Sequence, residues 1–425
     1  MCRRLFQPTG SGKLVLTPFS AFLRCALRAI TLVAVVSTAL STISACGRET
    51  ISVETLPPIA LPLPTVTPDT WAARGTVVSE EPLVDVQPEL SAQLGDARHV
   101  MYRSVSGTSG AGTVVSGSLF VPKGDPPPAG WPVLSLAHGF TGLNTDCAPS
   151  AAPDFRGYGA VVAALLSSGI AVAFTDYEGL GGPGLHPFLE PRTAAFNVID
   201  SVRALKALFP SVSTRWVALG VSQGGQASWA ANELNRWYGD GFELLGTVTM
   251  APAANVSGFA FLADQDALTS QQLLIMPAVV VGAQRSYPAG GIDRLLHGEA
   301  AQEKDLVIGC GAGSDQARAK LKPADVKPAS KEDAAALRES LRKMALPLAP
   351  ESAPLLVVSG LADELILPET VSVSVKRACD LGGPIQFREL PDKGHPDVGP
   401  NQQTLDWILD RFAGKPASTT CPSTS

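Results

Sequence analysis

Short apolar runs alternate with amphipathic stretches along most of this 425-residue chain, and that alternation constrains its fold more than any other feature. Residues 132–137 (PVLSLA), 170–177 (IAVAFTDY), 216–220 (WVALG), 244–251 (LLGTVTMA), 354–360 (PLLVVSG) and 385–390 (IQFREL) read as strands. Residues 158–169, 193–209, 224–238, 368–380 and 404–413 lie between or after them and carry helical spacing. Such an order predicts an α/β fold: a mostly parallel sheet with helices on both faces. Chemistry in such sheets gathers at the carboxyl ends of the strands. Residues 98–105 and 113–121 add a strand pair around the turn SGTSGAG. One stretch, 252–350, breaks the alternation with helix-like pieces and no strand repeat, which predicts a mainly helical cap inserted between two strands.

The first 45 residues read as an address. Basic residues precede the apolar run 29–45 (AITLVAVVSTALSTISA), and Cys46 follows it. The end of that run, Ile43-Ser44-Ala45-Cys46, resembles the lipobox of bacterial lipoproteins, which implies cleavage before Cys46 and lipid on its thiol. Residues 46–70 contain Pro57, Pro58, Pro62, Pro64 and Pro68, a spacing that favours extended chain and predicts a tether between anchor and body. The domain at 71–425 is then expected outside the cell, held to the outer face of the membrane or released. Removing the five basic residues of 1–45 takes the net charge from −6 to −11. An acidic body without a basic stripe argues against nucleic acid as a partner. Of seven cysteines, Cys147, Cys310, Cys379 and Cys421 remain in the exported body, an even number with three possible pairings. None has zinc-site spacing, so no metal is expected.

The chemistry centres on Gly220-Val221-Ser222-Gln223-Gly224, a GxSxG pattern between a predicted strand and a predicted helix. In that setting the serine sits on a strained turn at the sheet top, and the glycines allow close approach of strand and helix. A serine needs a base, and in the order serine, acid, histidine only His297 and His395 follow Ser222. His297 lies in the expected cap. His395 lies in the loop after the last strand and is the expected base. Asp363, just past the strand PLLVVSG, is the expected acid that orients it, ahead of its neighbour Glu364 and of Asp397. Acyl transfer also needs donors for an oxyanion. The backbone amides of Gln223 and of Phe140, in the loop His138-Gly139-Phe140-Thr141-Gly142, are the candidates, with His138 bracing that loop. The GxGxxG match at 179–184 contains Pro183 and opens no helix, so it is not read as a dinucleotide site, and no cofactor is implied.

AHGFTG (137–142), Cys147-Ala148-Pro149-Ser150, DYEGLG (176–181) with His186-Pro187, GVSQGG (220–225), MAPAA (250–254), GLAD and KGHPD together resemble the secretory lipase family of α/β-hydrolases across residues 75–415. The resemblance implies the α/β-hydrolase fold, a triad of Ser222, Asp363 and His395, and disulfides Cys147–Cys310 and Cys379–Cys421. One departure is Phe140, where bacterial relatives commonly have Thr. The expected function is a serine ester hydrolase acting on lipid-like esters. Alternatives with the same triad are a short-chain carboxylesterase, an acyltransferase or a peptidase. A lipid-binding surface lipoprotein without turnover belongs to a different class. The oligomeric state is left open.

Overall fold

The computed structural model describes residues 55–422. The expected signal segment 1–45 and Cys46 therefore lie outside the described residues. Nine strands form one sheet: β1 (Val77–Pro82), β2 (Leu94–Val105), β3 (Gly112–Pro122), β4 (Trp131–Ala137), β5 (Ala171–Thr175), β6 (Val212–Val221), β7 (Glu243–Met250), β8 (Leu355–Gly360) and β9 (Ile385–Leu390). Their order is β1-β2-β3-β5-β4-β6-β7-β8-β9. The first three pairings are antiparallel, and every pairing from β5/β4 to β8/β9 is parallel. Every residue of β5 and β8 is buried, as expected of strands covered on both faces. β1 escapes a reading by pattern because it is an exposed edge strand, VVSEEP, without apolar alternation.

Helices Pro191–Leu208, Gln223–Tyr238 and Pro368–Leu381 contribute buried residues to one core. Helices Gly159–Ser167 and Gln402–Phe412 pack into a second core on the other face of the sheet. The segment between β7 and β8 is helical among the described residues, from Gly258–Asp264 through Ser270–Ser286 to Lys331–Lys343. A reciprocal cap starts the longest of these: Thr269 Oγ1 accepts from the Gln272 amide, and Gln272 Oε1 accepts from the Thr269 amide.

The stretch expected as a free tether behaves otherwise where it is described. Residues 55–67 form no helix or sheet strand and are bonded to the body. A proline-rich strand has no ladder of its own, so its carbonyls are taken up by side chains of the body. Arg377 donates to the carbonyls of Thr55 and Leu56, and Asn255 also donates to Leu56. Arg342 donates to Pro57, and Arg192 donates to Pro62. The Ile59 amide closes the set by donating to the Arg342 carbonyl. The segment thus straps the last cap helix to the helices beneath it. A chain cut to begin at residue 71 should melt at least about 2 °C below one beginning at residue 55, read by differential scanning calorimetry. Equal melting temperatures would mean the strap adds nothing.

The helix Gln223–Tyr238 also grips the chain that returns from the cap. Gln226 donates to the Met344 carbonyl, and Asn232 bonds the backbone of Ser352 and Ala353. Glu233 Oε2 accepts from the Leu348 and Ala349 amides, and Trp229 donates to Glu351 Oε1. Glu233 Oε1 and Glu351 Oε2 are buried without a bonding partner among the described residues. Burial pushes the Glu233 carboxyl up to about 8, and burial plus the charge of Glu233 raises Glu351 well above its usual range. A raised folded-state pKa gives stability that is full below the unfolded value of 4.5 and lost as pH rises through about 8. The melting temperature should therefore fall between pH 5 and pH 8.5, and the Glu233→Gln/Glu351→Gln pair should flatten that slope.

Candidate active site

β6 ends at Val221, the chain turns at Ser222, and a helix begins at Gln223. Ser222 takes φ 59° and ψ −116°, a left-handed conformation that is strained for any residue with a side chain. Its amide donates to the Met250 carbonyl at 2.9 Å, and its carbonyl accepts from the Gln226 and Ala253 amides. The two glycines of the motif are steric necessities. A Cβ on Gly220 would lie 1.9 Å from the Gly224 carbonyl oxygen, and one on Gly224 would lie 1.9 Å from that of Ala137. Only bare backbone lets the helix start this close to β4 and β6.

Ser222 Oγ lies 3.0 Å from His395 Nε2, and His395 Nδ1 lies 2.7 Å from Asp363 Oδ2. The other oxygen of Asp363 accepts from the Leu365 and Ile366 amides, both at 2.8 Å. With its side chain fully buried and both oxygens engaged, the Asp363 carboxylate can only accept from the imidazole. Nδ1 therefore carries the ring proton, and Nε2 presents a lone pair to the Ser222 hydroxyl. The structure thus joins the three residues that the sequence places 173 and 32 positions apart. The rivals are elsewhere. Glu364 is exposed, Asp397 accepts from the Gly394 amide in its own turn, and His297 bonds the Lys327 carbonyl inside the cap.

Phe140 and Gln223 both line a small cavity beside Ser222, of about 30 Å³. The remaining wall is apolar and includes Phe188 and Leu189, Phe259, Ile275 and Val279 of the cap helices, and Ile366. The apolar cap run 273–283 thus serves two purposes: Ile275 and Val279 face the cavity, while Met276, Ala278 and Val280 are core. Roomier hollows of about 350 to 440 Å³ lie elsewhere among the described residues, away from the serine. Both implied disulfides are formed: Cys147–Cys310 ties the loop after β4 to the cap, and Cys379–Cys421 ties a helix to the C-terminal segment.

Residues 158–308 match the family model described as secretory lipase. Over that stretch the chain is similar to the secretory lipases. A protein of Mycobacterium tuberculosis named "Probable inactive lipase" is 26% identical over 374 residues, covering 81% of this chain and 80% of its own length. Candida antarctica lipase A in its closed state superposes with a TM-score of 0.67 at 17% identity, over 85% of this chain and 89% of that one. The rice cell wall degrading esterase LipA from Xanthomonas oryzae superposes with a TM-score of 0.64 at 18% identity, over 80% and 95%. At such identities the likeness to solved structures is one of fold, the α/β-hydrolase fold.

The sequence reading gave DYEGLG and His186-Pro187 no roles, yet this segment surrounds the site. Tyr177 Oη donates to the His138 carbonyl, and the Gly139 amide donates to Tyr158 Oη, so two tyrosines brace the loop that carries Phe140. Asp176 accepts from Ser116 Oγ and from the amide and hydroxyl of Ser150, which gives that serine of the Cys147–Ser150 segment its role. His138 is buried, and both its ring nitrogens face carbonyl oxygens, so it braces rather than offering a free base. Burial also lowers its pKa. The glycines at 179, 181 and 184 have positive φ and shape this loop without any nucleotide fingerprint.

A fluorophosphonate probe should label the protein once, at Ser222, as read by intact mass. Ser222→Ala should abolish labelling, and Asp363→Asn, which should keep the geometry but not the tautomer, should slow it by about 10⁴-fold. Equal labelling of Asp363→Asn would break the assignment of the acid.

Proposed function

We propose that the protein is an exported serine hydrolase that cleaves carboxylic esters with apolar acyl groups. The observation that carries this reading is the hydrogen-bonded series Asp363, His395, Ser222 ending at an apolar cavity. The word "inactive" in the name of the mycobacterial relative belongs to that protein; here the three required side chains are present and aligned.

In this reading His395 Nε2 takes the proton as Ser222 Oγ attacks the ester carbonyl, and Asp363 stabilises the imidazolium that forms. The backbone amides of Gln223 and Phe140 receive the negative charge on the carbonyl oxygen. His395 returns the proton to the leaving alcohol, and an acyl-enzyme remains on Ser222. Water, deprotonated by His395, then releases the acid. The apolar lining suits the acyl chain rather than the alcohol. The cavity offers about the volume share of one water molecule, so a longer chain requires the wall formed by helix Ser270–Ser286 to shift. That helix is bonded at one end to the acid loop, through Thr269 to the Glu364 carbonyl and Gln272 to the Leu365 carbonyl.

Export is supported by the secretory-lipase match and by two disulfides, which persist in oxidising compartments. Lipid attachment at Cys46, holding the protein at the outer membrane face, is the proposed anchoring mode. One observation favours a narrower second reading, a short-chain carboxylesterase. The Phe140 ring walls the cavity and is propped by Phe188 at 5.2 Å between centroids.

Esters of p-nitrophenol with acyl chains of rising length, and an emulsified triacylglycerol, decide between these readings when each is assayed with Ser222→Ala as control. Ser222-dependent turnover of long chains and emulsion is expected. Turnover limited to short esters, and extended to longer ones by Phe140→Ala, would give the carboxylesterase. No Ser222-dependent turnover on any ester would overturn the ester-hydrolase reading.

A further inference from the structure

The Gly-rich loop after β5 does more than fill space around the serine. His186, 2% exposed, bridges two backbone elements of the site. Its Nδ1 lies 2.9 Å from the Glu178 carbonyl oxygen, and its Nε2 lies 2.8 Å from Gln223 Nε2. A carbonyl oxygen can only accept, so Nδ1 carries the proton. Nε2 then holds a lone pair, and the Gln223 carboxamide N–H must donate to it. Burial, reinforced by the nearby His138 and Arg285, holds the His186 pKa down to about 3. The ring is therefore neutral at ordinary pH and the direction of the bond never reverses.

Gln223 is the first residue of the helix and the donor of one proposed oxyanion contact. Its amide plane follows directly on the strained Ser222. Anchoring its buried side chain fixes the Cα position and hence where that N–H points. The same loop sets the other donor. Tyr177 stacks on His186 with ring centroids 5.9 Å apart and planes 14° apart, and its hydroxyl holds the His138 carbonyl two residues before Phe140. Arg285 of the cap helix donates to the His186 carbonyl at 3.0 Å and keeps the ring's own backbone in place.

We propose that His186 is a positioning residue that aligns the Gln223 amide for the developing oxyanion, so that one rigid loop, 176–189, references both halves of the oxyanion site. This rests on the ester-hydrolase reading above. The role differs from that of a core histidine because it acts on the transition state, where charge on the carbonyl oxygen is greatest, and little on the bound ester.

The test uses the full chain with p-nitrophenyl butyrate. His186→Leu removes the acceptor, His186→Gln restores one, and Gln223→Met removes the donor while keeping the backbone N–H. We expect His186→Leu and Gln223→Met each to lower kcat by about 10- to 100-fold with KM changed less than about twofold. Affinity for an alkylboronic acid, which forms a tetrahedral adduct on the serine, should fall by the same factor as kcat/KM. His186→Gln should recover most of the loss, and His186→Leu/Gln223→Met should be no worse than either single change. The pH profile of kcat/KM should stay where it is, because the base is untouched. The proposal is overturned if kcat and boronate affinity stay at the wild-type level in Gln223→Met. Losses that multiply in the double variant, or a His186→Gln no better than His186→Leu, overturn it as well. Should His186→Leu fail to fold, Gln223→Met carries the test alone. A wild type without Ser222-dependent turnover fails the underlying reading instead, which separates the two failures.

Discussion

The close approach of the helix Gln223–Tyr238 to β4 and β6 is the contact on which the rest of the site depends. It requires hydrogen atoms as side chains at Gly220 and Gly224, since a methyl at either would overlap backbone oxygen. It also forces Ser222 into a left-handed conformation that costs on the order of 1–3 kcal/mol. The strain persists because the serine is bonded on both sides: its amide to Met250, its carbonyl to Gln226 and Ala253. The same geometry lifts the Ser222 hydroxyl clear of the sheet, at the positive end of a helix, within reach of a base.

Three separate loops then converge on that hydroxyl. The loop after β8 brings Asp363, its carboxylate pre-set by two backbone amides. The loop after β9 brings His395. The loop after β4 brings Phe140, braced by Tyr158 and Tyr177. Each loop leaves the carboxyl end of a parallel strand, so the sheet delivers all of them to one edge. The cap is coupled to the same edge by bonds to the acid loop, by Arg285 to the loop of His186, and by the disulfide Cys147–Cys310. Its exit chain is gripped by the helix that starts at Gln223, with the Glu233–Glu351 pair at the centre of that grip. Cap, strap and the edge that carries the candidate site are therefore one mechanical system.

Much of this was legible in residue order because the signals are local. Apolar runs marked six of the nine strands, alternation around a Gly-rich turn marked two more, and GxSxG marked the elbow because only glycine tolerates those approaches. His395 and Asp363 were found through their placement after strands. Two features resisted. β1 has no buried face, so burial left no pattern to read. The proline-rich stretch read as a tether because its proline spacing favours extended chain, yet its carbonyls remain acceptors, and arginines more than 100 residues away use them.

The sequence alone determined the fold class and the candidates for nucleophile, base and acid, since periodicity and steric permission are properties of neighbouring residues. Only the tertiary structure decided that Asp363 rather than Glu364 meets His395. It also decided that His186 reaches Gln223 and that a cap helix closes the cavity beside Ser222. Those outcomes depend on distances between segments far apart in the chain, and hydrogen bonding falls off within an ångström of its optimum, so no local pattern could have encoded them.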